Sequence, residues 1–143
     1  MSTFGPESEK ARNGLTLLAR ILLVVVYAVF GWSKLTGYAG TVTYMAHTGA
    51  PMPQVSALVA TVIEAPVAVA LILGLFTRPL AILLAAYTFG TGLIGHHFWT
   101  MTGADRMTNE INFLKNLSII GGLLLLYVTG PGRWSLDAKL GRA

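Results

Sequence analysis

Four apolar runs, each about as long as a membrane-spanning helix, constrain this chain more than any other feature. They extend from Leu15 to about Ser33, from Ala57 to Phe76, from Leu80 to about Trp99 and from Ile111 to Thr129. An α-helix needs roughly 20 residues to cross about 30 Å of hydrocarbon. Lipid also demands that each segment satisfy its own backbone polar groups, which a helix does. The expected architecture is an all-α membrane protein, an antiparallel bundle of four transmembrane helices formed by residues 1–143 as one domain. The third run fades at Gly95 and needs His96 to Trp99 to complete its span.

Composition agrees. Charged residues make up 11% of the 143 and hydrophobic residues 54%, against about 25% charged in an ordinary soluble domain. So few charges cannot coat a soluble fold of this size. The net charge of +4 does not point to nucleic acid, because the basic residues are scattered near the ends of the apolar runs. The absence of cysteine excludes disulfides, thiolate catalysis, cysteine-held iron–sulfur clusters and c-type haem attachment. No cleaved signal peptide is expected, since the first run exceeds the roughly 7–15 residues of a signal core.

The connections fit the bundle. Met1 to Asn13 is polar and reads as a frayed tail. Thr36 to Ser56 is the longest link, and Pro51 and Pro53 bar a continuous helix through it. Thr77-Arg78-Pro79 reads as a tight turn, Thr102 to Glu110 as a polar loop, and Gly130-Pro131-Gly132 as a helix stop. Lysine and arginine then set orientation. Lys10, Arg12, Arg78, Arg133, Lys139 and Arg142 lie on one side, and Lys34, Arg106 and Lys115 on the other. Both termini are therefore expected in the cytoplasm.

The informative residues are those that lipid should not tolerate, because a charge at mid-membrane costs at least about 2.5–3.5 kcal/mol. Glu64 lies about 10 Å below the edge opposite the termini. His96, Lys115 and Asn116 fall within about 6–8 Å of that same edge. Three helices thus bring polar groups to nearly one depth, where mutual shelter is the cheapest arrangement. Arg20, Tyr27 and Lys34 recur every seven residues on the first helix, so one face should look inward. Asn109, Asn112 and Asn116 make a similar stripe on the fourth.

These side chains support more than one reading. Arg20 is expected to snorkel to the headgroups. Lys34 fits either an interfacial anchor or the outer closure of the polar cluster. Glu64 with Lys115 fits a structural ion pair that sets helix register. Pro66 is expected to kink the second helix beside Glu64. The adjacent His96 and His97 point about 100° apart on a helix, so they do not form one metal site, and no metal is expected. No phosphate loop, nucleophile elbow or HExxH motif occurs.

Three stretches carry a resemblance to a known family. The first is Arg20 followed by an apolar run into Gly31-Trp32-Ser33-Lys34-Leu35. The second is Glu64, then Leu73-Gly74-Leu75-Phe76-Thr77-Arg78. The third is Asn112-Phe113-Leu114-Lys115-Asn116-Leu117, with Gly121-Gly122 and Gly130-Pro131-Gly132-Arg133-Trp134-Ser135-Leu136-Asp137. Across roughly Leu15 to Asp137 the chain resembles the DoxX family of bacterial inner-membrane proteins, the last stretch being the most specific. The resemblance implies a multi-pass protein of the inner membrane tied to redox metabolism. Members are associated with thiosulfate–quinone oxidoreduction, with quinone-like or thiol stress, and with complexes that include soluble redox enzymes.

The expectation that follows is a membrane subunit of a redox or quinone-linked system. A quinone is the expected ligand, its polar head held by Lys34, Glu64, His96, Asn112, Lys115 and Asn116. Lys115 and His96 donate to oxygen, Glu64 balances charge, and Arg20 and Tyr27 serve structure. One alternative is a non-catalytic anchor for a partner redox enzyme in the bilayer. Another is a small transporter or lipid-binding protein. A protein partner is expected and nucleic acid is not.

Overall fold

The computed structural model describes residues 6–142, and every long element in them is helical. Helix α1 spans Pro6–Thr36, α2 Tyr38–His47, α3 Pro53–Leu73, α4 Thr77–Gly95, α5 Gly103–Thr129 and α6 Leu136–Lys139, with a 3-10 turn at Phe98–Thr100. Four of these, α1, α3, α4 and α5, are long and apolar enough to cross a membrane. "Terminal end" below denotes the end where α1 begins and α5 finishes, and "distal end" the opposite one.

Several boundaries correct the sequence reading. Residues Pro6 to Asn13 are the first turns of α1, not a frayed tail. Proline suits a helix start, and Glu7 and Glu9 complement the dipole there. Met1–Gly5, the rest of that expected tail, lie outside the described residues. The link after Thr36 contains α2, which packs on α3. Helix α3 opens at Pro53, ahead of Ala57, and runs through Pro66 as one helix. The reversal into α4 is made by Gly74 to Phe76, and Thr77-Arg78-Pro79 is the first turn of α4. The expected loop before Ile111 is helical from Gly103, so α5 emerges well beyond its apolar run. Helix α4 ends at Gly95, and His96 and His97 sit in a non-helical bend before the 3-10 turn.

The packing is uneven. Helix α1 lies along α3, and α4 along α5, while α1 and α5 touch over only a short stretch. The α1/α3 approach depends on Gly31, where an added Cβ would come within 2.6 Å of the Ala65 backbone nitrogen. The hydrophobic core joins the two pairs through Val24, Tyr27, Val67, Leu71, Leu84, Leu123 and Leu126. Outside it, Leu22, Val29, Trp32, Val62 and Leu125 are exposed, the apolar coat expected of a surface facing lipid.

At the terminal end the chain after α5 folds back beneath the bundle. Gly74 closes α3 in the left-handed region at φ 69°, and its missing Cβ leaves room for Ser135 and the Arg20 guanidinium. A bulkier residue there would displace both.

Candidate functional site

The distal polar cluster forms where α1, α3 and α4 meet. Lys34, in the last turn of α1, places Nζ 2.6 Å from Glu64 Oε2. The other carboxylate oxygen accepts a 2.5 Å hydrogen bond from the Tyr87 hydroxyl on α4. Both Glu64 oxygens are therefore occupied from within the bundle, one across the α1/α3 pair and one between pairs. A second link lies alongside: the Tyr27 and Thr88 hydroxyls are 2.5 Å apart, and Thr88 also donates to the Leu84 carbonyl at 2.6 Å. Thr88 thus serves as acceptor for Tyr27. Glu64 is 8% exposed, and a charge so buried persists only with partners of this kind.

Lys34 thereby proves to be the partner of Glu64, and the pairing of Glu64 with Lys115 is corrected. The reason is helical phase. On α5, Lys115 lies seven residues from Gly122, which contacts Leu23 of α1. Seven residues nearly restore the same face, so Lys115 points toward the α1/α5 seam, away from α3, and is exposed. Asn116 faces α4, where its Nδ2 lies 3.2 Å from the Cβ position of Gly92. Asn112 falls between these directions and is half-buried. Asn112, Lys115 and Asn116 make no side-chain hydrogen bond or ion pair within the described chain.

His96 is also separate from the carboxylate. Its Nδ1 hydrogen donates to Asn109 Oδ1 at 2.9 Å, and Asn109 in turn donates to the Asp105 carbonyl. His97 donates to the Ile94 carbonyl at 2.7 Å and sits edge-on to Trp99. The bend after Gly95 sets His96 beside Asn109 of α5 and leaves both rings half-buried. Among the described residues no three His, Asp or Glu side chains converge as metal ligands.

Arg20 is 2% exposed and does not snorkel. Its guanidinium donates to the Ile72 carbonyl at 2.9 Å, to the Trp134 carbonyl at 2.9 Å, and to Pro131. The end of α3 supplies the first of these acceptors and the fold-back segment the other two, in place of lipid headgroups. The same segment delivers Asp137 to the start of α4. Its carboxylate accepts from the N–H groups of Phe76 at 2.9 Å and Thr77 at 2.8 Å. Phe76 holds a left-handed backbone at φ 48°, a strained position for a bulky residue that these bonds offset. Burial alone pushes the Asp137 carboxyl up. The N–H groups of Thr77 and Phe76, with the Arg142 charge, more than offset that and hold it below the ordinary carboxylate range.

Two important side chains were not singled out in the sequence. Tyr87 was hidden in an apolar run, and only the adjacent hydroxyls of Tyr87-Thr88 hinted at a polar face. Asp137 stands in the stretch that carries the family resemblance, which says nothing of its role, although a carboxylate after a Gly-Pro-Gly stop is suited to reach a helix N-terminus. Two shallow hollows lie at the terminal end. One, of about 400 Å³, is lined by Glu9, Lys10, Asn13, Arg133 and Trp134. The other, of about 510 Å³, runs along α1 from Ser8 to Ala19. Neither adjoins Glu64.

Comparison with known proteins places this geometry in a lineage. The DoxX family pattern matches residues 15–97, a stretch that contains Arg20, Lys34, Glu64 and Tyr87. The inner membrane protein YphA of Escherichia coli is 54% identical over 129 residues, covering 90% of this chain and 92% of that protein. The inner membrane protein YqjF of Escherichia coli is 36% identical over 126 residues, covering 88% and 92%. Similarity extends to the ER-derived vesicles protein ERV29 of Saccharomyces cerevisiae, 28% identical over 96% of this chain and 39% of that protein. No solved structure matches. With four apolar spans and relatives of this kind, the chain is a multi-pass protein of the inner membrane and belongs to the DoxX family.

Proposed function

We propose that the protein is a non-catalytic membrane subunit of a redox-linked system, a scaffold that holds a partner enzyme at the inner membrane. One observation carries this reading: both oxygens of Glu64 are engaged by Lys34 and Tyr87. The acid best placed for chemistry is satisfied without a ligand, as expected of a group that sets helix register. The redox connection comes from what kinship with the family implies. The orientation proposed from the Lys and Arg bias, termini in the cytoplasm, puts the Arg20 fold-back on the side where a soluble partner would dock. Purification in mild detergent, read by mass spectrometry and an absorbance spectrum, tests the proposal. A stoichiometric partner without bound quinone or haem is expected. Glu64→Gln should lower assembly yield while leaving turnover per assembled complex unchanged. A bound quinone with no partner overturns it, and reporter fusions at each terminus test the orientation.

A second reading makes the cluster a quinone site. It is favoured by the residual exposure of the pair, 17% for the Lys34 side chain and 10% for Glu64. In this reading the Lys34 ammonium keeps Glu64 and turns a second N–H, together with the Tyr87 hydroxyl, toward one carbonyl oxygen. His96 stays with Asn109 and takes no part. Tyr87→Phe should then weaken quinone binding about tenfold, the equivalent of about 1.4 kcal/mol. Unchanged affinity in Tyr87→Phe and Glu64→Gln removes the reading.

A further inference from the structure

We propose that the distal part of the seam between α1 and α5 docks a single phospholipid. Its phosphate and ester oxygens meet Lys115 and Asn112, and an acyl chain lies between Phe30 and Ile119.

The register of the seam follows from one contact. Gly122 of α5 abuts Leu23 of α1 near the middle of the bundle. The helices are antiparallel, so seven residues toward the distal end lead to Phe30 on α1 and Lys115 on α5. Heptad spacing keeps both on the seam faces at one level. Contact between the two helices is sparse. They touch only over a short stretch, Phe30 is 55% exposed, Lys115 is exposed, and Asn112 and Ile119 are half-buried. The distal seam thus presents Phe30, whose ring lies 5.5 Å from Lys34 Nζ, and Ile119 beside the polar Lys115 and Asn112.

Chemistry selects the occupant. Lys115 and Asn112 have no side-chain partner within the described chain, and an unpaired cation facing hydrocarbon demands an anion. Nearby acids are committed elsewhere: Glu64 to Lys34, and Glu110 to Arg106. Depth then favours lipid over a carboxylate on a partner helix. From Thr129, Lys115 lies about 21 Å up α5, which leaves about 9 Å of a roughly 30 Å core above it. Helical side chains lean toward the N-terminus, here distal, and the lysine stem snorkels the remaining distance. Trp99 packs on Phe113 at 5.8 Å just above, as interfacial aromatics do. The ammonium thus arrives at the level of ester and phosphate oxygens, where Asn112 adds an amide donor.

Native mass spectrometry from nanodiscs of phosphatidylglycerol tests the proposal, with retained lipid followed through increasing detergent. One lipid per chain should persist in the natural protein. Lys115→Ala and Asn112→Leu should lower its retention about tenfold, Lys115→Arg should preserve it, and Arg106→Ala, on the opposite face of α5, should not affect it. Diacylglycerol with the same chains and no phosphate should not be retained. Melting temperatures of all variants exclude unfolding as the cause. Equal retention in every variant overturns the proposal. So does efficient disulfide dimerisation of Lys115→Cys, a clean probe in a chain without cysteine, because it would make the seam an interface between copies. A stoichiometric protein seated on α5 and displaced by Lys115→Ala overturns it equally.

Discussion

The two ends of the bundle keep an ionised side chain out of water by opposite means. At the terminal end, Arg20 is held by backbone carbonyls of Ile72, Pro131 and Trp134 and makes no ion pair. At the distal end, Glu64 is held by two side chains, Lys34 and Tyr87. An arginine cannot shed its charge inside a protein, so its acceptors must be permanent. Backbone carbonyls fixed by a helix end and a Gly-Pro-Gly turn meet that need. The partners of Glu64 hang on flexible side chains, whose rotamers can change without moving the backbone. The terminal end is thus a lock, and the distal end a joint that remains adjustable.

Measurements can break or refine this contrast. The largest effect should come from Arg20→Met, which leaves several buried carbonyls without donors at about 1–3 kcal/mol each. Unfolding in detergent should report a loss of about 3 kcal/mol or more, and a loss no larger than that of Lys34→Met would dissolve the contrast. Lys34→Met should cost about 1–2 kcal/mol, less than a fully buried pair, because both side chains keep some exposure and Tyr87 still holds one Glu64 oxygen. The double variant Lys34→Met/Glu64→Gln should recover most of that loss, and strict additivity would mean the pair is not coupled.

Next in size is acid sensitivity. A carboxyl with a depressed folded pKa is stabilising above its unfolded value near 4, and the contribution fades as pH falls through the folded value. Asp137 should therefore weaken the terminal end below about pH 4, and Asp137→Asn should flatten that part of a melting profile while costing about 1 kcal/mol at neutral pH. A profile unchanged by the substitution would remove Asp137 from the lock. The smallest effect belongs to Lys115→Ala, within about 0.5 kcal/mol in delipidated micelles, because the side chain has no partner in the protein.

The spans were legible because lipid imposes a length and a polarity that can be counted along the chain. Helix ends were less so. Residues before Leu15 and Ile111 are polar yet helical, since a helix continues past the bilayer wherever caps and packing allow, and hydropathy does not register that. The site was half-legible. The seven-residue stripe of Arg20, Tyr27 and Lys34 marks the inward face of α1, and all three make polar contacts with other helices. Depth placed Lys115 beside Glu64, but depth says nothing about the direction a side chain takes around the helix axis.

By itself, then, the order of residues determined that this chain crosses a membrane on four helices and carries ionisable groups that need shelter within it. Both are properties of single segments, set by apolar length and the cost of charge in hydrocarbon. Partner choice was decided only in three dimensions. Lys34 reached Glu64 because Gly31 lets α1 press against α3, Tyr87 completed the pair from α4, and Lys115 was left facing the seam. Arg20 found carbonyls beneath the bundle because the chain after α5 folds back to meet it. Such outcomes depend on helix rotation and on segments distant in sequence.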